Sequence, residues 1–246
     1  MASRRTALVT GSNKNIGRAC ALHLARAGCN VVINGAHDKS AADAVADEAC
    51  ALGVDALVAM GDVGDRVDCQ GIAAAALEKF GTVDILVNNA AIRENGKFLD
   101  MSEDDWRYAM AVNFDAAYWL SRACLPGMIE KGWGRIINFA GMNAIHGYNG
   151  RAHVSASKHA AWGLTKALAK EFGAQGITTN IVSPGPIMGE AQAPKQAAHI
   201  AEMQARVPVG RLGTPDEVAS AVALLASDAG AFINGQMIQV NGGAET

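Results

Sequence analysis

Charge and aromatic side chains are both scarce in this 246-residue sequence: Asp, Glu, Lys and Arg supply 18 % of it, and Phe, Trp and Tyr only 5 %. A net charge of −3 with no basic block argues against nucleic acid or an anionic membrane as the main partner. The five cysteines, Cys20, Cys29, Cys50, Cys69 and Cys124, are odd in number, scattered, and never spaced as C-x-x-C. That pattern indicates neither a disulfide framework nor a zinc or other metal site, and it fits a reducing cytoplasm. No signal-like segment precedes the first apolar run, and no run approaches the roughly 18 residues of a membrane helix. The expected partners are therefore a small molecule and further copies of the chain. Proline is sparse too, and four of its six residues, Pro184, Pro186, Pro194 and Pro208, fall between positions 183 and 214.

What is abundant is apolar residues, half of the total, arranged with alternating periods. Short β-branched runs ("TALVT", "NVVIN", "VDALVAM") alternate with amphipathic stretches over Ile16–Ala27, Ser40–Leu52 and Asp65–Phe80. The alternation continues through "VDILVNN", a helix over about Glu103–Glu130, "GRIINFA", a helix over about Ala152–Phe172, "GITTNIV" and "GQMIQVNG". This βαβ order predicts an α/β fold: a doubly wound, seven-stranded parallel sheet with helices on both faces, as a single domain over 1–246. The segment from about 183 to 214 is expected to lack regular elements and to act as a lid. In the helix beyond it, the stripe Val218, Val222, Leu225 is explained equally by packing on the sheet and by subunit contact.

After the first strand comes "TGSNKNIGRA", with Gly11 at the turn, Gly17 at the helix start and Asn15 between them. Backbone N–H groups at a helix N-terminus carry partial positive charge, so a glycine-lined turn there receives a pyrophosphate. The strand-turn-helix setting at the head of a βαβ unit is the context that this reading requires. Among residues other than glycine, asparagine tolerates a left-handed backbone best, so Asn15 can keep the turn.

The spacing T-G-x-x-x-N-I-G resembles the T-G-x-x-x-G-x-G of the short-chain dehydrogenase/reductase family, with Asn15 for the middle glycine. Further resemblances run along the chain: "GDV" at 61–63, "NNAA" at 88–91, Asn113 in "AVNFDA", "SPGPI" at 183–187 and "QMIQVNGG" near the end. The resemblance implies a Rossmann-like domain, a nicotinamide cofactor and a homotetramer. It implies cofactor contacts from Gly11, Asn13, Lys14, Asn15, Ile16, Gly17, His37, Asp62, Val63, Asn89, Ala90, Lys158, Pro184, Gly185 and Ile187. An acidic residue ending the second strand would bind a ribose 2′-hydroxyl and repel a 2′-phosphate. That position is Gly35, with Lys14 and His37 nearby, which favours NADP(H) over NAD(H).

Members of this family combine a Ser, a Tyr and a Lys, the last two spaced Y-x-x-x-K. Lys158 is present in "NGRAHVSASKHA", yet four residues before it stands Val154, and the serine position is Gly141. Gly189 stands where relatives often carry a threonine that bonds the carboxamide. The proton must then come from elsewhere. A histidine can donate or accept a proton at neutral pH, so His146 is either a replacement donor or an ordinary loop histidine. Asn143 either polarises a carbonyl or caps a loop. With Asn113 and Lys158 these form the candidate catalytic set. Tyr148 is expected as a packing or interface residue, His153 at the helix start or a subunit contact, and Arg93 with Glu94 as a solvated pair. Three functions follow: an NADP(H)-dependent oxidoreductase on a carbonyl or alcohol with a non-standard site, a hydrolase or lyase on the same scaffold, or a silent nucleotide-binding protein.

Overall fold

The computed structural model describes residues 4–142, 146–189 and 197–245, the side chains of 197–199 apart. Seven parallel strands form one sheet: β1 (Thr6–Val9), β2 (Asn30–Ile33), β3 (Ala56–Val58), β4 (Ile85–Asn88), β5 (Gly134–Phe139), β6 (Ile177–Pro184) and β7 (Met237–Val240). Their order is β3-β2-β1-β4-β5-β6-β7, every neighbouring pair parallel. The strand order reverses between β1 and β4, and the crevice above their C-terminal ends is where doubly wound folds bind ligands.

The strands read as near-continuous apolar runs because both faces are covered. Ala7 and Val9 of β1 point to one face and Leu8 to the other, as the period of two demands. On the first face lie α1 (Asn15–Arg26), α2 (Lys39–Ala51) and α8 (Pro215–Ala226). On the second lie α3 (Arg66–Phe80), α5 (Ala116–Lys131) and α6 (Ala152–Phe172). Val218, Val222 and Leu225 are fully buried in the first face, so that stripe packs on the sheet.

Local chemistry starts and stops these helices. Asp38 caps α2 through Ala41 N, Asp65 caps α3 through Val67 N and Asp68 N, and Thr214 with Glu217 forms a capping box on α8, where Pro215 takes the first turn. Gly81 and Gly132 end α3 and α5 with positive φ. The helix expected over Glu103–Glu130 is instead two, α4 (Glu103–Met110) and α5, joined by a π-helical turn at Ala111–Asp115. Such turns insert one residue into the ladder and often lie at functional sites. Here the turn carries Asn113.

The segment 183–214 differs from its expectation. Ser183 and Pro184 finish β6, Ile187 pairs with Gly213 in an isolated bridge, and a regular helix, α7 (Ala197–Ala205), lies within it. The prolines at 194 and 208 bracket an alanine-rich run long enough for two turns of good helix formers.

Candidate active site

A cavity of about 710 Å³ opens above the switch point between β1 and β4. Its walls are the loops that follow β1, β2, β3, β4 and β6, and every predicted cofactor-binding residue except Lys158 stands on them. The turn after β1 takes the shape that its residues demand. Gly11 has φ +59°, and Asn15, at +49°, is the one non-glycine residue with positive φ among those described. A Cβ on Gly17 would lie 2.1 Å from Gly11 O, so only glycine lets α1 start this close to the turn. Lys14 precedes α1 without a side-chain cap, in contrast to α2, α3, α4 and α8. The N-terminal end of α1, with its partial positive charge, fits an anionic phosphate.

Three side chains lock the loops together. Asn89 Nδ2 donates to Thr10 O (2.9 Å) and Gly11 O (3.1 Å), while Thr10 Oγ1 accepts from Asn89 N and Ala90 N, both at 3.0 Å. Asn34 Oδ1 accepts from Gly11 N (3.1 Å), and its Nδ2 donates to Ala59 O and Gly61 O. Sequence reasoning missed Asn34; the signal was a polar residue closing the apolar run "NVVIN". It missed Tyr108 as well, an exposed phenol from α4 whose hydroxyl donates to Asp62 Oδ2 at 2.8 Å and which lines the same cavity. Burial, that hydrogen bond to a carboxylate, and the charges of Asp62 and Glu94 push its pKa up to about 12.

Beyond the end of β2 the cavity wall carries Gly35, Ala36 and His37, and Lys14 lines the same cavity. A Cβ on Gly35 would press on Asn13 at 3.1 Å. The nearest acid, Asp38, is engaged in capping α2.

The proposed catalytic residues separate. Asn113 is buried and spent on structure: its Oδ1 accepts from Ile92 N (3.0 Å), and its Nδ2 donates to Ile92 O (3.1 Å) and Ser157 Oγ (3.2 Å). It ties the loop after β4 to α6. Lys158 is buried one turn after Val154 on α6, behind the cavity wall. Burial, followed by the charge of Arg93, lowers its pKa from 10.5 to about 7. His146 is half-exposed and outside the cavity wall, with Nε2 2.9 Å from Glu245 Oε2. Asn143 lies outside the described residues. Gly141 has nothing within 4 Å of where a Cβ would be, and Val154 is buried, so neither position carries a hydroxyl. Gly189 lines the cavity with only Asn15 Oδ1 near its would-be Cβ, at 3.5 Å. Tyr148 is exposed with the Arg151 guanidinium 5.0 Å from its ring centre, and His153 is buried. Arg93 and Glu94 both line the cavity, and both are exposed.

Residues 11–245 match the family model described as Enoyl-(Acyl carrier protein) reductase. The 3-oxoacyl-(acyl-carrier-protein) reductase FabG of Staphylococcus aureus is 35 % identical over 243 residues, 99 % of each chain. That of Escherichia coli (strain K12) is 37 % identical over 239 residues, 97 % of this chain and 96 % of the other. Nodulation protein G of Azospirillum brasilense is 36 % identical over 241 residues, 98 % of both.

Proposed function

The chain belongs to the short-chain dehydrogenase/reductase family, and on that premise we propose that it is an NADP(H)-dependent oxidoreductase acting on a carbonyl or alcohol without the usual Ser and Tyr. The observation that carries this reading is the cavity itself: an uncapped helix N-terminus over a glycine turn, joined to the loops of four other strands at the switch point. Relatives whose names state a reductase activity over the full chain length support the same class. The preference for NADP(H) rests on Lys14 and His37 beside Gly35, with Asp38 committed to α2.

When bound, the nicotinamide supplies or accepts the hydride. The chain's residues then bind, orient and shield. The turn 11–17 would hold the pyrophosphate, Asp62 and Val63 would face the adenine, and Asn89 with Ala90 would close the adenosine side of the same cavity. Pro184, Gly185 and Ile187 would border the nicotinamide end, where Ile187 is held by its bridge to Gly213. Asn113 positions the wall through Ile92. Lys158 would anchor the ribose; burial, followed by the charge of Arg93, lowers its pKa to about 7. The fully exposed Phe232, before the edge strand β7, is a surface that assembly into a homotetramer in the cytoplasm would cover.

Titration of the intrinsic tryptophan fluorescence with NADPH and NADH tests this reading. We expect both to bind, NADPH more tightly. If neither binds, both the oxidoreductase and the silent nucleotide-binding readings fail, and binding without turnover of ketones, aldehydes or quinones would leave a silent nucleotide-binding protein.

A further inference from the structure

Asp62, on the cavity wall, has its carboxylate held from two sides. Oδ1 accepts from Gly64 N and Oδ2 from the Tyr108 hydroxyl, both at 2.8 Å, while the Asp62 N–H donates to Asp68 Oδ2 at 2.8 Å. Gly64 and Asp68 are close neighbours in the chain. Tyr108 comes from α4, 46 positions away, and is the only side chain among the described residues that bonds this carboxylate.

The ring is fixed as well as the hydroxyl. A Cβ on Gly64 would lie 2.7 Å from Tyr108 Cε2 and 2.8 Å from Val112 Cγ2, so the ring and the turn that follows it pack directly on the Gly64 backbone. Tyr108, Val112, Asp62 and Val63 all line the cavity. Yet Tyr108 is 43 % exposed, which gives it little part in the core. Water would satisfy a carboxylate at this depth as well as a phenol does, so what the bond supplies is a direction.

We propose that Tyr108 is a positioning residue for the nucleotide: it holds the Asp62 carboxylate toward the purine of a bound dinucleotide, so that the site selects a 6-aminopurine over a 6-oxopurine. The inference rests on the dinucleotide reading of the cavity and adds a residue to it. A carboxylate oxygen has two lone pairs, so each oxygen of Asp62 can accept one bond beyond the one it already has. A 6-amino group would donate to it, whereas a 6-oxo group would set oxygen against oxygen. Burial, then the bond to Asp62, push the phenol up to about 12, so its hydroxyl stays a donor at neutral pH.

Fluorescence titration with NADPH and with reduced nicotinamide hypoxanthine dinucleotide phosphate, its 6-oxo analogue, tests the assignment. The unaltered protein should bind NADPH roughly 10- to 100-fold more tightly, the scale of a hydrogen bond to a charged group. Tyr108→Phe, which keeps the ring on Gly64, should cut that ratio by at least ~5-fold through weaker binding of NADPH. Made on an Asp62→Ala background, the same change should alter neither affinity, because the hydroxyl acts through the carboxylate. Equal binding of the two nucleotides by the unaltered protein overturns the proposal, as does a ratio that survives Tyr108→Phe. An equal loss for both nucleotides would mark a tyrosine that only supports the fold, and an effect that persists without Asp62 would mark a direct contact; either overturns the positioning role. If neither nucleotide binds, the dinucleotide reading itself fails and this inference falls with it.

Discussion

Replacing Lys158 by methionine should stabilise the protein at neutral pH and weaken its hold on NADPH. The lysine is buried, finds no hydrogen-bond acceptor among the described residues and faces Arg93. Lowering its pKa from 10.5 to about 7 corresponds to a ceiling of roughly 5 kcal/mol against the charged form, at about 1.4 kcal/mol per pH unit. Water reaching the ammonium and adjustment of Arg93 reduce what is realised to about 2–4 kcal/mol. Below about pH 7 the lysine is charged in both folded and unfolded chains, so the penalty is complete. Between about 7 and 10.5 only the unfolded chain keeps the proton, and stability rises with pH; above that range the penalty is gone. Lys158→Met removes it at every pH. For a chain of this size, about 2–4 °C per kcal/mol puts the gain at roughly 5–15 °C in Tm at pH 6.5, shrinking toward pH 10. Scanning calorimetry at pH 6.5, 8 and 10, with the exposed Lys14→Met as control, reads it directly. A lower Tm for Lys158→Met at pH 6.5, or a difference independent of pH, would refute the view of Lys158 as an uncompensated buried cation. The accompanying loss of NADPH affinity would mark a site where stability is sacrificed for function.

Other substitutions probe the rest of the site. Gly141→Ser with Val154→Tyr should raise ketone reduction by about 10²–10⁴-fold, since a Cβ at 141 meets nothing within 4 Å and a positioned acid contributes on that scale; an unchanged steady-state rate sinks the account of the missing hydroxyls. Gly17→Ala should weaken NADPH binding at least ~10-fold through the clash with Gly11 O, whereas Gly71→Ala, inside α3 with open space, should add about 1 kcal/mol in urea denaturation. Asn113→Leu strands both main-chain groups of Ile92 and should cost about 2–4 kcal/mol by the same measurement. His146→Ala should change kcat by less than about 2-fold, because the imidazole is paired with Glu245 outside the cavity wall; a loss above 10-fold would make it the proton donor.

The backbone architecture was legible because it depends on local periodicity. Runs such as "NVVIN" and "GRIINFA" can be buried on both faces only as central parallel strands, and the expected helix over Ala152–Phe172 has the observed bounds. Gly11, Asn15 and Gly17 were legible for a related reason, since their backbone needs are intrinsic to the residue type. The π turn at 111–115 was not legible. It follows from the grip of Asn113 on Ile92, a contact between residues 21 positions apart that no helical periodicity encodes. The helix within 183–214 was hidden by the prolines on either side of it.

Alone, the sequence determined which runs become strands, that the turn after the first strand carries Gly11, Asn15 and Gly17, and that positions 141 and 154 carry no hydroxyl. Those properties belong to single residues and to repeats of two or 3.6 along the chain. Tertiary structure decided the electrostatics: that burial lowers the pKa of Lys158 to about 7, and that His146 turns to Glu245. Charge interactions and desolvation depend on distance through space, and only folding sets which groups come within reach of one another.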